Sequence, residues 1–359
     1  MYSPAFRSQF PVLEERAYLN AGTCGPLPRP ALHAVAEVLA RAAVEGRTRA
    51  YMETMFGLRD LQRAAYAERL GARPEDVALT SCTSEGIVRV LGGLDLGPGD
   101  EVLTAPDEHP GLLGPLGTLR ARRGVEVRTA PFEGLADAVG PKTRLVACSH
   151  VNWVTGAVRP EGLAELGPDV PVLLDGAQGV GAVPIDIAAL GCAFYAGSGQ
   201  KWLCGPVGTG MLWIAPEHRE QVAPIGATYL NLADPAHGLE SPLHPDARSY
   251  DSPAISAETS AAAVAAHAVL AEPGWDAVYE RARTLAAGLA DRLRERGRTV
   301  ARRDDTTLVS WEEDDPEATR DQLAGAGIVV RNLPGTPYVR ASVGAWNDEG
   351  DLERLVGAL

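Results

Sequence analysis

From about residue 77 the chain alternates short apolar runs with helical stretches, and this alternation constrains the fold more than any other feature of the sequence. The apolar runs have the length of strands, and the stretches between them have helical spacing. Strands that alternate with helices predict βαβ units and a mainly parallel sheet. Ligands bind such sheets at the carboxyl ends of the strands, which is where a site is expected. The predicted strands are VALT (77–80), EVLTA, VEVRTA (125–130), RLVACSH (144–150), VPVLLD, AFYAG (193–197) and GTGMLWI (208–214).

The character of the chain changes after about residue 251. Residues 256–297 are Ala-rich and helical, and short strands and helices follow to the C-terminus. A chain of 359 residues exceeds what one hydrophobic core usually supports. We therefore predict an α/β fold: a large domain, residues 16–251, around a seven-stranded-type, mainly parallel sheet, and a smaller α+β domain from residues 1–15 and 252–359.

The composition excludes several classes of function. A formal charge of −14 argues against nucleic acid and anionic membranes as partners. No apolar run approaches the ~18 residues of a membrane span, and the N-terminus lacks the pattern of a secretory signal. The five cysteines are scattered and lack CxxC spacing, which indicates a reduced, cytoplasmic protein without a zinc site.

One lysine and one aspartate stand out at the ends of predicted strands. Lys201, in SGQKWLCGPVGTG, follows a strand and is flanked by apolar residues. Burial lowers the pKa of an amine, and a Schiff-base lysine needs such a pKa. Asp175 ends the run VPVLLD. A strand-terminal acid is often a plain helix N-cap, but beside Lys201 it is a candidate partner for a protonated ring nitrogen of a cofactor.

Two further segments contain residues that could bind the phosphate group and the ring of a cofactor. Thr83 and Ser84 lie between a predicted strand and a helix, where backbone N–H groups and hydroxyls bind phosphate. An ordinary helix cap explains the same pattern. His109 follows the strand EVLTA, and its flat imidazole can stack on a cofactor ring, although a lone histidine is more often structural.

Taken in order, six segments resemble the class V aminotransferase family, whose members are fold-type I enzymes that depend on pyridoxal 5′-phosphate (PLP). The resemblance covers roughly residues 18–359, and the DGAQ and GSGQK segments at their spacing are specific for the superfamily rather than for one reaction. The segments are TSCTSEG, DEHPGLL, SHVNWVTG, LLDGAQGVGAVPIDI, SGQKWLCGPVGTG and YVRASVGAWNDEGDLERL.

The resemblance implies which residues contact the cofactor ring. Lys201 would carry PLP as a Schiff base and, once released by the substrate amine, act as the general base at Cα. Asp175 would pair with the pyridine nitrogen, Gln178 would contact the ring oxygen O3′, and His109 would stack on the ring. Asn152 lies one position from the asparagine that the family places near O3′. Lys201, His109 and Asp175 are thus the expected catalytic residues.

The resemblance also implies the phosphate and substrate contacts. Arg340 matches the arginine that binds the substrate α-carboxylate in a bidentate contact. Ser252 matches a position that reaches the phosphate of the neighbouring subunit, so a homodimer with shared active sites is expected. The phosphate of the same chain would be bound by Thr83, Ser84, Ser198 and Gln200. The substrate pocket would be lined by Asn20, Ala21 and Gly22.

Three departures from the family pattern bear on the reaction. Cysteine desulfurases carry a nucleophilic cysteine shortly before the carboxylate-binding arginine, and residues 331–340 contain none. Trp153 stands where the family has an asparagine, and Gln200 replaces the histidine before the lysine. These features resemble the C–S lyase and isopenicillin N epimerase-like branch. We expect a PLP-dependent lyase that performs β-elimination on cysteine, cystine or a cysteine S-conjugate.

Other functions remain open at this point. A class V aminotransferase or an amino acid epimerase would use the same carbanion and is the main alternative. A desulfurase is disfavoured by the missing cysteine, and a non-catalytic PLP-binding protein by the presence of Lys201, Asp175 and Arg340. A nucleotide-binding protein would need a GxGxxG or GxxxxGK[ST] motif, which the chain lacks.

Overall fold

The computed structural model describes residues 4–359 and has the α/β architecture that the sequence predicts. Short 3-10 turns connect many of its elements. The helices are α1 Pro4–Arg7, α2 Arg29–Glu45, α3 Arg49–Leu70, α4 Thr83–Gly93, α5 Pro110–Arg123, α6 Ile187–Leu190, α7 Ala257–Ala271, α8 Trp275–Glu295, α9 Pro316–Gly325 and α10 Glu349–Ala358. The strands are β1 Ala17–Tyr18, β2 Val77–Thr80, β3 Glu101–Thr104, β4 Glu126–Thr129, β5 Thr143–Ser149, β6 Val172–Asp175, β7 Phe194–Ser198, β8 Gly210–Ile214, β9 Leu308–Glu312, β10 Ile328–Val329, β11 Arg331–Asn332 and β12 Tyr338–Ser342.

A seven-stranded sheet forms the centre of the larger part, in the order β2-β8-β7-β6-β5-β3-β4. The strands from β7 to β4 pair in parallel, and β8 runs antiparallel to both of its neighbours. The sheet is therefore mainly parallel, as predicted. Alternate residues point to opposite faces, so Leu173 and Leu174 enter two separate hydrophobic cores. Burial on both faces explains why these strands appear in the sequence as continuous apolar runs.

A second, antiparallel sheet in the order β11-β12-β9 lies in the C-terminal part of the chain. Helices α8, α9 and α10 contribute Leu289, Leu323 and Leu355 to the core beneath it. The N-terminal strand β1 pairs in parallel with β10, so the start of the chain joins this C-terminal part. The division into residues 16–251 on one side and 1–15 with 252–359 on the other stays a prediction, and residues 1–3 lie outside the described part.

The structure differs from the sequence expectation at two places. The apolar run IVVR (328–331) predicts a single strand, but it forms two short strands, because β10 pairs with β1 while β11 pairs with β12. Helix α3 is absent from the sequence expectation. It buries Arg59 and Arg63 against Asp251 rather than a continuous apolar stripe, so its periodicity is weak. Among residues 4–359, no helix combines the length and apolar character needed to cross a bilayer.

Candidate active site

The carboxyl ends of the central strands bring the predicted site residues to one edge of the sheet. Asp175 is the last residue of β6 and Ser198 the last of β7. Thr83 begins the helix that follows β2, and His109 precedes the helix that follows β3. Because parallel strands end at the same edge, residues far apart in the chain converge there. Lys201, just after β7, lies within electrostatic reach of Asp175.

Lys201 has the chemical character of a Schiff-base lysine. Desolvation lowers the pKa of its amine to about 8, although nearby Asp175 raises it. Arg340 and Arg331 lower it further by charge repulsion. A substantial fraction of the amine is therefore neutral near physiological pH, and neutral amine is the nucleophilic form.

One carboxylate oxygen of Asp175 accepts a hydrogen bond, and the other has no described hydrogen-bond partner. Its Oδ1 accepts a hydrogen bond of 2.9 Å from the backbone N–H of Ala177. The side chain is buried, and burial raises the pKa of the carboxyl, whereas Lys201 lowers it. A buried carboxylate is stabilised by a cationic partner, and the protonated ring nitrogen of a pyridine is such a partner.

Serine and threonine hydroxyls meet at the first turn of α4. The Thr83 and Ser198 hydroxyls hydrogen-bond each other at 2.6 Å, and Thr83 N–H donates to Ser198 Oγ at 3.4 Å. The start of α5 approaches closely, since a Cβ on Gly111 would lie 2.5 Å from Ser84 Oγ. Gln200 contributes a buried Oε1 without a hydrogen-bond partner. Helix N–H groups and hydroxyls fit a phosphate group, whereas Gln200 Oε1 is an acceptor and adds no donor to it.

His109 caps helix α5, and this cap sets its tautomer. Its Nδ1 accepts a hydrogen bond of 3.0 Å from the backbone N–H of Gly111. Burial lowers the pKa of the imidazole to about 4, helped by the positive charges of Lys201, Arg331 and Arg340. The ring is thus neutral, with its proton on Nε2. Trp153 packs edge-on against it at 5.0 Å between ring centroids.

Two arginines from adjacent strands face the site without carboxylate partners in the described part of the chain. Arg340 on β12 is fully buried, and its Nη1 donates to the carbonyl of Trp153 at 2.6 Å, while Nε and Nη2 have no partner. Arg331 on β11 is directly opposite Arg340 in the ladder and donates to the Thr23 hydroxyl at 3.2 Å. Burial and the charge of Arg331 lower the pKa of Arg340 to about 9.

Such a pair of like charges is unfavourable unless anions bind it. The unpartnered Nε and Nη2 of Arg340 fit the bidentate carboxylate contact expected from the sequence. Arg331 adds a second cation that the sequence did not single out. Only the register between β11 and β12 places the two side chains on the same face of the sheet.

The N-terminal segment forms a wall of this site. Asn20 forms a bridge with Ser342 beside Arg340, and a Cβ on Gly22 would lie 2.7 Å from Arg340 Nη2. Gln178 ties this wall to the lysine loop, because its Nε2 donates to the Gly22 carbonyl at 2.8 Å and its Oε1 accepts from Trp202 Nε1 at 3.0 Å. One N–H of Gln178 stays free for a ligand. Ala21 lies buried between Asn20 and Gly22.

Asn152 lies in the loop behind the site, and its side chain makes three contacts there. Its Nδ2 donates to Asp107, and its Oδ1 accepts from the backbone of Val154 and Thr155. Asn152 therefore holds the segment that precedes His109. One N–H of the amide makes no described contact.

Ser252 lies beside the first turn of α4. Its hydroxyl donates to Glu85 of the same chain, and its backbone N–H donates to the Leu79 carbonyl at 2.7 Å. A contact with a neighbouring subunit stays a prediction.

Glu108 is a further buried acid at the site that the sequence did not single out. Its carboxylate accepts hydrogen bonds from the backbone N–H and the hydroxyl of Ser149. Burial raises the pKa of the carboxyl to about 8, against the effect of Ser149, and Asp175 and Asp107 raise it further. Its position between Asp107 and His109 gave no periodic signal, so only the fold reveals the link to β5.

Comparison with known proteins decides the family. Residues 17–355 match the family model described as aminotransferase class-V. The chain belongs to the class V aminotransferase family. A probable cysteine desulfurase of Pseudomonas aeruginosa is 32% identical over 318 residues, which cover 80% of this chain and 78% of that protein. An isopenicillin N epimerase of Streptomyces clavuligerus is 33% identical over 228 residues, covering 57% and 55%. Several curated relatives are matched over only 54–62% of their length.

Three solved structures have the same fold as this chain. The cystine C–S lyase C-DES, in complex with its reaction product cysteine persulfide, superposes with a TM-score of 0.90 at 28% sequence identity. The alignment covers 97% of this chain and 98% of the C-DES chain. A C-DES mutant with glycine covalently linked to the PLP cofactor has the same TM-score and identity. A cysteine desulfurase from Thermococcus onnurineus has a TM-score of 0.88 at 22% identity and supports the fold alone.

Proposed function

We propose that this class V protein is a PLP-dependent C–S lyase that acts on a sulfur-containing amino acid, with cystine as the best-fitting substrate. The observation that carries the proposal is the pair Arg340 and Arg331 above the buried Lys201 and Asp175. One arginine suffices for the α-carboxylate of any amino acid. The second suits a substrate with another carboxylate at its far end, and cystine has one.

The residues present fit PLP. Lys201 offers an amine of lowered pKa, Asp175 a carboxylate oxygen without a described partner, and the start of α4 a set of backbone N–H groups with the Thr83 and Ser198 hydroxyls for the phosphate. When bound, PLP supplies an electron sink for the negative charge that develops at the substrate Cα. Asp175 would hold a negative charge beside the ring nitrogen, and His109, neutral because burial lowers its pKa to about 4, would cover the ring.

The other side chains orient the substrate and move its proton. Arg340 binds the α-carboxylate through Nε and Nη2, which orients the Cα–H bond toward Lys201. The Lys201 amine takes the Cα proton as general base. Trp153, buried and edge-on to His109, excludes water from that face of the site. The sulfur on Cβ then leaves with the electrons of the C–S bond and takes up a proton, as cysteine persulfide from cystine or hydrogen sulfide from cysteine. Addition of water to the remaining three-carbon fragment gives pyruvate and ammonia.

A desulfurase would need a thiolate that takes sulfur from the substrate, and neither the loop before Arg340 nor the three buried cysteines favour that role; Cys24 and Cys82 are part-exposed and lie outside that loop. Residues 331–340 contain no cysteine. Cys148, Cys192 and Cys204 are buried, and desolvation raises the pKa of each thiol. A buried, protonated thiol is a poor nucleophile. The aminotransferase and epimerase alternatives use the same residues up to the removal of the proton.

We further propose that the chain works as a homodimer in which Ser252 reaches the phosphate site of the partner. Sedimentation velocity would measure the mass in solution. A strictly monomeric protein with full activity would contradict this part of the proposal.

The decisive experiment supplies the PLP-loaded protein with cystine, cysteine or a cysteine S-conjugate and quantifies pyruvate, alanine, sulfide and persulfide. Pyruvate in excess over alanine supports the lyase. Alanine together with a protein-bound persulfide would identify a desulfurase. A keto acid that forms only with an added amino acceptor would identify an aminotransferase.

A further inference from the structure

The turn Gly176–Gly179, between Asp175 and the next segment, lies flat against two buried rings. A Cβ on Gly176 would lie 2.2 Å from the ring carbons of Tyr195 and 2.4 Å from its hydroxyl. A Cβ on Gly179 would lie 2.4 Å from both His150 Nδ1 and the Tyr195 hydroxyl. Real Cβ atoms do not approach so closely, so glycine at both positions lets the turn touch the pair.

Tyr195 and His150 form this pair through one hydrogen bond. The Tyr195 hydroxyl lies 3.0 Å from His150 Nδ1, and the rings meet edge to face at 5.7 Å between centroids. The backbone N–H of Val180 interacts with the same hydroxyl. The Tyr195 hydroxyl and His150 Nδ1 share this hydrogen bond, and the imidazole is neutral because burial lowers its pKa to about 3. The backbone N–H of His150 donates to the Asp175 carbonyl at 2.8 Å.

The turn carries the groups that the reaction needs. Asp175 precedes it, and Gln178 within it joins the Gly22 carbonyl on one side and Trp202, the neighbour of Lys201, on the other. A small movement of the turn would displace Asp175 from the ring nitrogen. The same movement would pull on the loop of Lys201 and on the wall beside Arg340.

We propose that Tyr195 is a positioning residue of the active site: with His150 it forms a rigid base that sets Asp175 and Gln178 at their places against the cofactor. This inference rests on the proposed function only in that Asp175 and Gln178 are taken to contact PLP. Tyr195 itself lies behind the turn and touches neither substrate nor cofactor.

The test compares Tyr195→Phe with Tyr250→Phe, a matched control. Tyr250 is as deeply buried and donates to backbone carbonyls at Arg219 and Val222, away from the turn. PLP affinity is measured by dialysing the holoenzyme against a series of PLP concentrations. Tyr195→Phe should weaken PLP binding about tenfold and shift the pH midpoint of the visible cofactor spectrum, because the position of Asp175 changes. Tyr250→Phe should change neither, even if both variants lower the unfolding temperature equally.

A second variant changes the turn instead of Tyr195, and it tests the same contact if Tyr195→Phe does not fold. Gly179→Ala keeps an ordinary backbone conformation, but its methyl group collides with the Tyr195 hydroxyl and His150. It should weaken PLP binding strongly, also when Tyr195 is phenylalanine, because the clash with His150 remains. An unchanged PLP affinity in Gly179→Ala would overturn the inference.

The failure of this inference and the failure of the proposed function give different results. If the native protein binds no PLP, the proposed function is wrong. If the native protein binds PLP and Tyr195→Phe matches Tyr250→Phe in affinity and spectrum, the cofactor assignment holds and Tyr195 is only a packing residue.

Discussion

Replacing Arg331 by glutamine tests whether this second arginine binds the second carboxylate of cystine. The Arg331 guanidinium is partly exposed, and its described hydrogen bond goes to the neutral Thr23 hydroxyl. A hydrogen bond to a charged group contributes about 1.5–3 kcal/mol. Removing it should therefore lower kcat/KM for cystine by roughly 10–150-fold. Cysteine has no second carboxylate, so its kcat/KM should change by less than about threefold.

The assay follows pyruvate from both substrates with the PLP-loaded protein. Arg331→Lys serves as a variant that keeps the charge but loses the planar fork, and it should recover part of the activity on cystine. Arg49→Gln, on the exposed start of α3, is the control for the loss of a surface arginine. Equal losses with cystine and cysteine would refute the assignment, because Arg331 would then act on the α-carboxylate or on the fold.

Three further predictions follow from the same site. Arg340→Ala should still bind PLP but raise the KM for every amino acid substrate, because substrate binding loses on the order of 2–5 kcal/mol. Steady-state kinetics measure this KM, and an unchanged value would make Arg340 purely structural. The rate at which the PLP-free protein incorporates PLP should rise with pH and level off above about 8, since only the neutral amine of Lys201 reacts. Stopped-flow absorbance measures this rate, and Lys201→Ala should form no Schiff base. A flat pH profile would contradict the assigned pKa. Glu85 is half-buried, which raises its pKa, but hydrogen bonds from Ser252, Ser81 and Arg89 outweigh this and lower it to about 2. Glu85→Gln should therefore destabilise the protein at pH 7 by on the order of 1–2 kcal/mol, and the difference should disappear as pH falls from about 4.5 to 2 in denaturant titrations.

Local pattern was sufficient to predict the central sheet. The buried strands of the sheet are short apolar runs, and the turns between them carry glycine and proline, so β3, β5, β6, β7 and β8 were recognisable. Helix α3 was not recognisable, because it is buried through the charges of Arg59 and Arg63 on Asp251, a residue far along the chain. Asp251 also accepts from the backbone N–H of Leu79, and no local pattern contains that contact.

Some residues of the candidate site were likewise predictable from the sequence, and others were not. Lys201, Asp175, Thr83 and Ser198 lie directly at strand or helix ends, where a reader of the sequence expects chemistry. Glu108 did not stand out, because its burial depends on a contact between its loop and the end of strand β5, which lies about forty residues further along the chain.

The sequence by itself determined the α/β class, the family and the residues that end each strand, because strand length, glycine turns and ordered motifs are local properties. Only the tertiary structure decided that Arg331 lies opposite Arg340, that Tyr195 supports the turn after Asp175, and that Gln178 joins the N-terminal wall to the loop of Lys201. These contacts join segments that are distant in the chain. Strand register and close packing create them, and neither is encoded in the neighbours of any single residue.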